Sequence, residues 1–106
     1  MSMDTVFRAL ADKSRRRLLD RLRARNGQTL NEMCAGIDMS RQAVTKHLVI
    51  LEEANLVVTE KRGREKLHYL NPVPIHELAE RWIGKFERGR LTALSDLKKR
   101  LEREEP

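Results

Sequence analysis

The stretch from Leu30 to Leu56, LNEMCAGIDMSRQAVTKHLVILEEANL, constrains the fold more than any other part of the chain. It holds two helical patterns separated by a tight break at Ile37-Asp38-Met39. In the second pattern Val44, Leu48 and Leu51 recur at spacings of four and three, so they share one face. Ser40, directly before it, has the chemistry of a helix N-cap. The other face carries Arg41, Gln42, Thr45 and Lys46, with His47 near its edge. Arg and Gln can each make paired hydrogen bonds to a base edge. In a chain of formal net charge +6, this is the layout of a helix that reads double-stranded DNA.

The flanking segments supply a scaffold for such a helix. Val6, Phe7 and Leu10 fall on one side of a short helix over Met3 to Leu10. Asp12 or Ser14 can cap a second helix running through Arg25, with Leu18, Leu19 and Leu22 as its apolar stripe. Asn26-Gly27 stops it, because both residues tolerate the left-handed conformation. Thr29 with Glu32 three residues on forms a capping-box pattern for a third helix, Leu30 to Gly36. The fourth runs from Arg41 to about Ala54, and Asn55 ends it. The period then changes to that of strands, Val57–Arg62 and Lys66–Leu70, around a Gly63-Arg64 turn.

Asn71-Pro72-Val73-Pro74 blocks helix continuation and hands over to a terminal helix from about Ile75 to Glu102. There Ile75, Ala79, Trp82 and Phe86, then Leu94, Leu97 and Leu101, form a narrow seam flanked by charge. A seam of that kind suits contact with another helix. The expected architecture is therefore mainly α with a small β-hairpin, in the order α-α-α-α-β-β-α. It reads as one domain over 1–106, with a helix-turn-helix at 29–54, a wing at 57–70 and a terminal helix at 75–102.

Composition narrows the function classes. At 106 residues with 36% charged side chains and few aromatics, the chain builds a modest aliphatic core and gains by pairing with a second copy. Its positive charge favours a polyanionic partner. A lone cysteine, Cys34, permits no internal disulfide, and no apolar run is long enough to span a bilayer. A soluble cytoplasmic protein is expected. No nucleophile sits with a base and no glycine-rich loop cradles phosphate, so an enzyme is not expected.

Three segments together carry a family resemblance: ALADKSRRRLL (Ala9 to Leu19), SRQAVTKHLVILEEANLV (Ser40 to Val57) and GREKLHYLNP (Gly63 to Pro72). They resemble the ArsR-type winged helix-turn-helix repressors, and the resemblance covers nearly the whole chain. It departs at Lys13, where the family often has Pro, and at Asp38, where many members have Gly. The resemblance implies a homodimer joined through its first and last helices, with two recognition helices entering successive major grooves. Base-reading positions are then Arg41, Gln42, Thr45 and Lys46. Ser40 and His47 lie beside the backbone, and Arg62, Arg64 and Lys66 on the wing hold phosphates or a minor groove. The implied dimer interface comprises Val6, Phe7, Leu10, Trp82, Phe86, Leu94, Leu97 and Leu101.

Many relatives sense metals. The arsenic-sensing pattern Cys-x-Cys-x-x-Cys is represented here by Thr29, Asn31 and Cys34, one thiol in place of three. One thiolate cannot close a three- or four-ligand site, so Cys34 reads as a small packing residue. Zinc-sensing members place His and acidic pairs on the last helix, but no histidine follows His76. No metal or other cofactor is expected. The alternatives are an atypical intersubunit metal site using His76 and Glu80, or a winged-helix module that docks on protein. His47 reads as a packing or phosphate-contacting residue, and His68 as a half-exposed strand residue. Of Arg15, Arg16 and Arg17, one or two are expected to approach DNA or pair with acids such as Asp12.

Overall fold

The computed structural model describes residues 2–83 and 88–104. Its elements run α1 (Met3–Leu10), α2 (Lys13–Ala24), α3 (Leu30–Cys34), α4 (Arg41–Glu53), β1 (Val57–Arg62), β2 (Glu65–Leu70), α5 (Val73–Ile83) and α6 (Arg88–Glu104). Contacts divide the chain into two compact units, one ending at His76 and the other starting at Glu77. The first is a winged helix-turn-helix. Among the described residues no helix is long and apolar enough to cross a membrane.

Local chemistry accounts for most boundaries. Asp12 caps α2, its carboxylate accepting from the Arg15 N–H at 3.0 Å. Thr29 and Glu32 complete a reciprocal capping box on α3. Ser40 Oγ accepts from the Ala43 N–H at 3.1 Å and starts α4. Asn55 closes α4 at φ 60°, a left-handed position its short polar side chain tolerates. β1 and β2 pair antiparallel from Val57 opposite Leu70 to Arg62 opposite Glu65, with Gly63 at φ 64° in the turn.

Some boundaries differ from expectation, beginning with β2, which starts at Glu65 rather than Lys66. α3 stops at Cys34 rather than Gly36, since Ala35 is extended and Gly36 adopts φ 69°. α5 begins at Val73 rather than Ile75: the Pro72 carbonyl already accepts from the His76 N–H, and Pro74 sits in the first turn, where an N–H has no helical partner to lose. In place of the single terminal helix expected over 75–102, the described residues form two, α5 and α6. Phe86 lies outside the described residues.

The core of the first unit is aliphatic: Leu18, Leu22, Met33, Val44, Leu51, Leu56 and Val57 are fully buried. α4 contributes Val44, Leu48 and Leu51, the three residues that its periodicity selects. Val6 and Ala9 of α1 are also buried within the chain, while Leu10 is half-buried and Phe7 exposed. On α6, Leu94, Leu97 and Leu101 are 54%, 42% and 56% exposed and follow one another at spacings of three and four.

His68 corrects the sequence reading: it is buried, at 4% exposure. Strict alternation leaves one face of a hairpin wet, but here the α2–α3 loop docks along β2. The His68 N–H donates to the Gln28 carbonyl at 2.8 Å and the Gln28 N–H returns a bond at 3.1 Å, a one-residue third strand. The His68 ring repeats the contact, Nδ1 lying 2.9 Å from the same carbonyl, which obliges that nitrogen to carry the proton. Asn26 Oδ1 accepts from the Leu70 N–H at 2.8 Å. Gly27 makes this approach possible: at φ 78° a Cβ there would lie 3.1 Å from the Tyr69 ring.

The capping carboxylates set the response to acid. The Arg15 backbone N–H holds the Asp12 carboxyl below its ordinary value, with the Arg15 guanidinium and His47 adding to the effect against desolvation. The Thr29 backbone N–H does the same for Glu32, with the Thr29 hydroxyl and Arg25 adding. A depressed folded-state value gives stability that is complete above the unfolded value and is lost as pH falls through the folded one. Urea melts should therefore show stability declining below the usual carboxylate range. Asp12→Ala should cost about 1 kcal/mol at pH 7 and flatten that decline, since the lost cap no longer titrates.

Candidate nucleic-acid interface

Burial of its inner face decides what α4 presents outward. With Val44, Leu48 and Leu51 turned in, Arg41, Gln42, Thr45 and Lys46 are all exposed on the opposite side. Positions 41 and 45, and 42 and 46, are each one turn apart, so the four make a single patch. Val49 continues the Arg41-Thr45 line by another turn and is 44% exposed, an apolar neighbour that the sequence reading passed over. Its spacing was the available signal. Ser40 is exposed at the N-terminus of α4, where free backbone N–H groups favour an anion.

The patch is not uniform in freedom. Arg41 Nη1 donates to Oδ1 of Asn31 on α3. The Thr45 hydroxyl donates to the Arg41 carbonyl at 2.9 Å. His47 stands apart from the other five: it is half-buried, and its Nδ1 lies 3.4 Å from Arg15 Nη1. Arginine can only donate, so Nδ1 accepts. His47 is thereby engaged toward α2 rather than aligned with the exposed patch.

The wing lies beside this surface. A cavity of about 360 Å³ between α3, α4 and the hairpin is lined by residues including Leu30, Arg41, Val49, Arg64 and Lys66. Lys66 Nζ is 3.3 Å from Glu52 on α4, which turns its charge back onto the helix. Arg62 approaches Glu60 at 3.9 Å, and Arg64 stands exposed in the turn next to Gly63.

Several other arginines are structural. Arg15 has only 12% of its side chain exposed; Nε donates to the Ala9 carbonyl and Nη2 to the Arg8 carbonyl, both at 2.8 Å. Arg16 Nη1 donates to the Leu10 carbonyl at 2.7 Å. Together they satisfy the last carbonyls of α1, groups that a helix end leaves without partners. Arg21 does the same for α3 through the Glu32 and Ala35 carbonyls. The expected Arg15–Asp12 pairing is present at 3.9 Å, secondary to this capping.

Comparisons with known proteins agree with this geometry. A family model described as a helix-turn-helix domain matches residues 10–60. The uncharacterized HTH-type transcriptional regulator YuzN of Bacillus subtilis (strain 168) is 37% identical over 86 residues, covering 76% of this chain and 94% of YuzN. The transcriptional repressor SdpR of the same organism is 27% identical over 84 residues, covering 79% of this chain and 91% of SdpR. An ArsR-like transcriptional regulator from Rhodococcus sp. RHA1 superposes with a TM-score of 0.71 at 29% identity, covering 97% of this chain and 93% of that one. The chain belongs to the ArsR-type winged helix-turn-helix regulators.

In this ArsR-type regulator the positions of the arsenic-sensing pattern have other work. Thr29 caps α3, Asn31 meets Arg41, and Cys34 is half-buried at the end of the helix. His76, Glu77 and Glu80 are exposed on α5. Among the described residues, no three His, Cys, Asp or Glu side chains gather where one ion could join them.

The division between structural and presented arginines has a direct consequence. Arg15→Gln should lower stability by about 1.5–3 kcal/mol, because charged donors to the last carbonyls of α1 are lost. It should leave the salt dependence of DNA binding unchanged. Thermal melts and binding titrations at several salt concentrations measure the two effects separately.

Proposed function

We propose that this transcriptional regulator is a homodimeric repressor that binds a pseudo-palindromic operator and occludes transcription. The observation that carries the reading is the outer face of α4, where Arg41, Gln42, Thr45 and Lys46 are exposed together beside the wing tip. Arg41 and Gln42 supply paired bonds to guanine and adenine edges. Thr45, its hydroxyl engaged by the Arg41 carbonyl, offers its methyl group to a thymine, and Val49 extends that apolar contact. Ser40, Arg62 and Arg64 meet phosphates, with Lys66 at the wing's inner side. His47 contributes through packing.

Repression is supported by the similarity to SdpR, which is named a transcriptional repressor. Dimerisation is supported by the exposed Leu94, Leu97 and Leu101 of α6, a seam too apolar for a solvated helix face. Phe7 of α1 and Trp82 of α5, which the family resemblance also assigns to the interface, are 44% and 57% exposed. Val6 belongs to the interior of the protomer, so α1 takes part through Phe7 and Leu10. A two-fold dimer sets two α4 helices against half-sites about one helical turn apart, or a multiple of it.

Selection from a random duplex pool tests the reading. A palindromic consensus with that spacing is expected, and equal affinity for every duplex overturns it. Arg41→Ala and Gln42→Ala should each relax preference at one position by about 1–3 kcal/mol. Arg64→Ala should weaken binding to all sequences and reduce the salt slope by about one. Leu97→Glu should give monomers in sedimentation and a steep loss of operator affinity.

A further inference from the structure

We propose that Asn31 is a positioning residue for base reading: from α3 it fixes the guanidinium of Arg41 in the orientation that meets the base edge. The inference rests on the DNA-reading assignment of α4 above. Arg41 is the first residue of α4 and is exposed, so its long side chain would otherwise sample many rotamers. Among the described residues its side-chain partner is Asn31 Oδ1, reached by Nη1 across the helix-turn-helix. α3 itself is fixed at that point by the Thr29–Glu32 capping box on one side and by Arg21 on the other. Asn31 therefore holds its oxygen on a fixed backbone.

One N–H of a guanidinium engaged by Asn31 leaves the others for a paired bond to guanine O6 and N7. The pairing also selects the plane of the fork. Arg loses little further freedom on meeting DNA when that plane is already set, which sharpens discrimination more than it raises overall affinity. A neutral amide suits the position: its oxygen accepts from arginine without opposing the nearby phosphates, as a carboxylate would.

The test uses the full chain and the consensus duplex selected from the random pool, with single-base variants at each position. Asn31→Ala should lose about three- to tenfold in discrimination at the base pair where Arg41→Ala also loses it, the scale of one hydrogen bond. Salt slope and affinity for random duplex should stay as in the parent chain. The double variant Asn31→Ala/Arg41→Ala should discriminate no worse than Arg41→Ala alone. Asn31→Asp, which keeps the acceptor oxygen, should retain the base preference while binding every duplex more weakly. Unchanged discrimination in Asn31→Ala, or additive losses in the double variant, overturns the proposal. Loss of preference in Asn31→Asp equal to that in Asn31→Ala overturns it too. A chain that selects no sequence at all instead removes the DNA-reading assignment beneath it.

Discussion

Burial of one face of α4 is the constraint on which the rest of this molecule depends. Val44, Leu48 and Leu51 are at most 3% exposed, and each such side chain contributes about 1.5–3 kcal/mol when taken from water. Rotating the helix by one position would turn all three away from the core and bring Thr45, Val49 and Glu52 inward, a penalty comparable with the whole stability margin of a small domain. The inner face thus determines which residues face outward. On the proposed reading, sequence preference is not added to this fold as a separate feature; it is the solvent side of a packing solution.

Positive charge in this chain divides into two populations that composition cannot distinguish. Arg15, Arg16 and Arg21 bring their donors to helix-end carbonyls inside the protomer. Arg41, Lys46, Arg62 and Arg64 lie on the side that α4 and the wing present. In the proposed complex, counterion release would depend on the second group, since only charges that approach phosphates displace ions from DNA. The net +6 therefore bears on long-range attraction, while the salt slope reports the smaller set at the interface.

The parts of the fold that were legible in the sequence are those decided within a few residues. Asp12, Thr29, Ser40 and Asn55 act on backbone groups within three positions of themselves, so cap chemistry places three helix starts and the end of α4. The inner face of α4 follows from its period alone. What escaped is non-local. His68 sits in a strand whose alternation predicts partial exposure, and only a loop 40 residues earlier in the chain buries it. The arginine carbonyl contacts span six to fourteen residues, and the Asn31–Arg41 pair spans ten. A charged residue on a helix looks the same in sequence whether its head meets solvent, a carbonyl or a phosphate.

The wing shows why those distant contacts matter for recognition. Phosphate contacts supply affinity without sequence information, and they aid base reading only when tied rigidly to the reading helix. Three links provide that tie. Lys66 meets Glu52, while the Gln28–His68 pairing anchors β2 to the loop before α3. Asn71 joins the end of the hairpin to the end of α4, its N–H donating to the Leu56 carbonyl and its side-chain amide to the Asn55 carbonyl. A hairpin held at its base and along one edge cannot hinge freely against α4. On the proposed reading, binding energy gathered by Arg62 and Arg64 would be converted into a fixed height and tilt of α4 in the groove, which would let side chains as short as Thr45 and Val49 discriminate between bases.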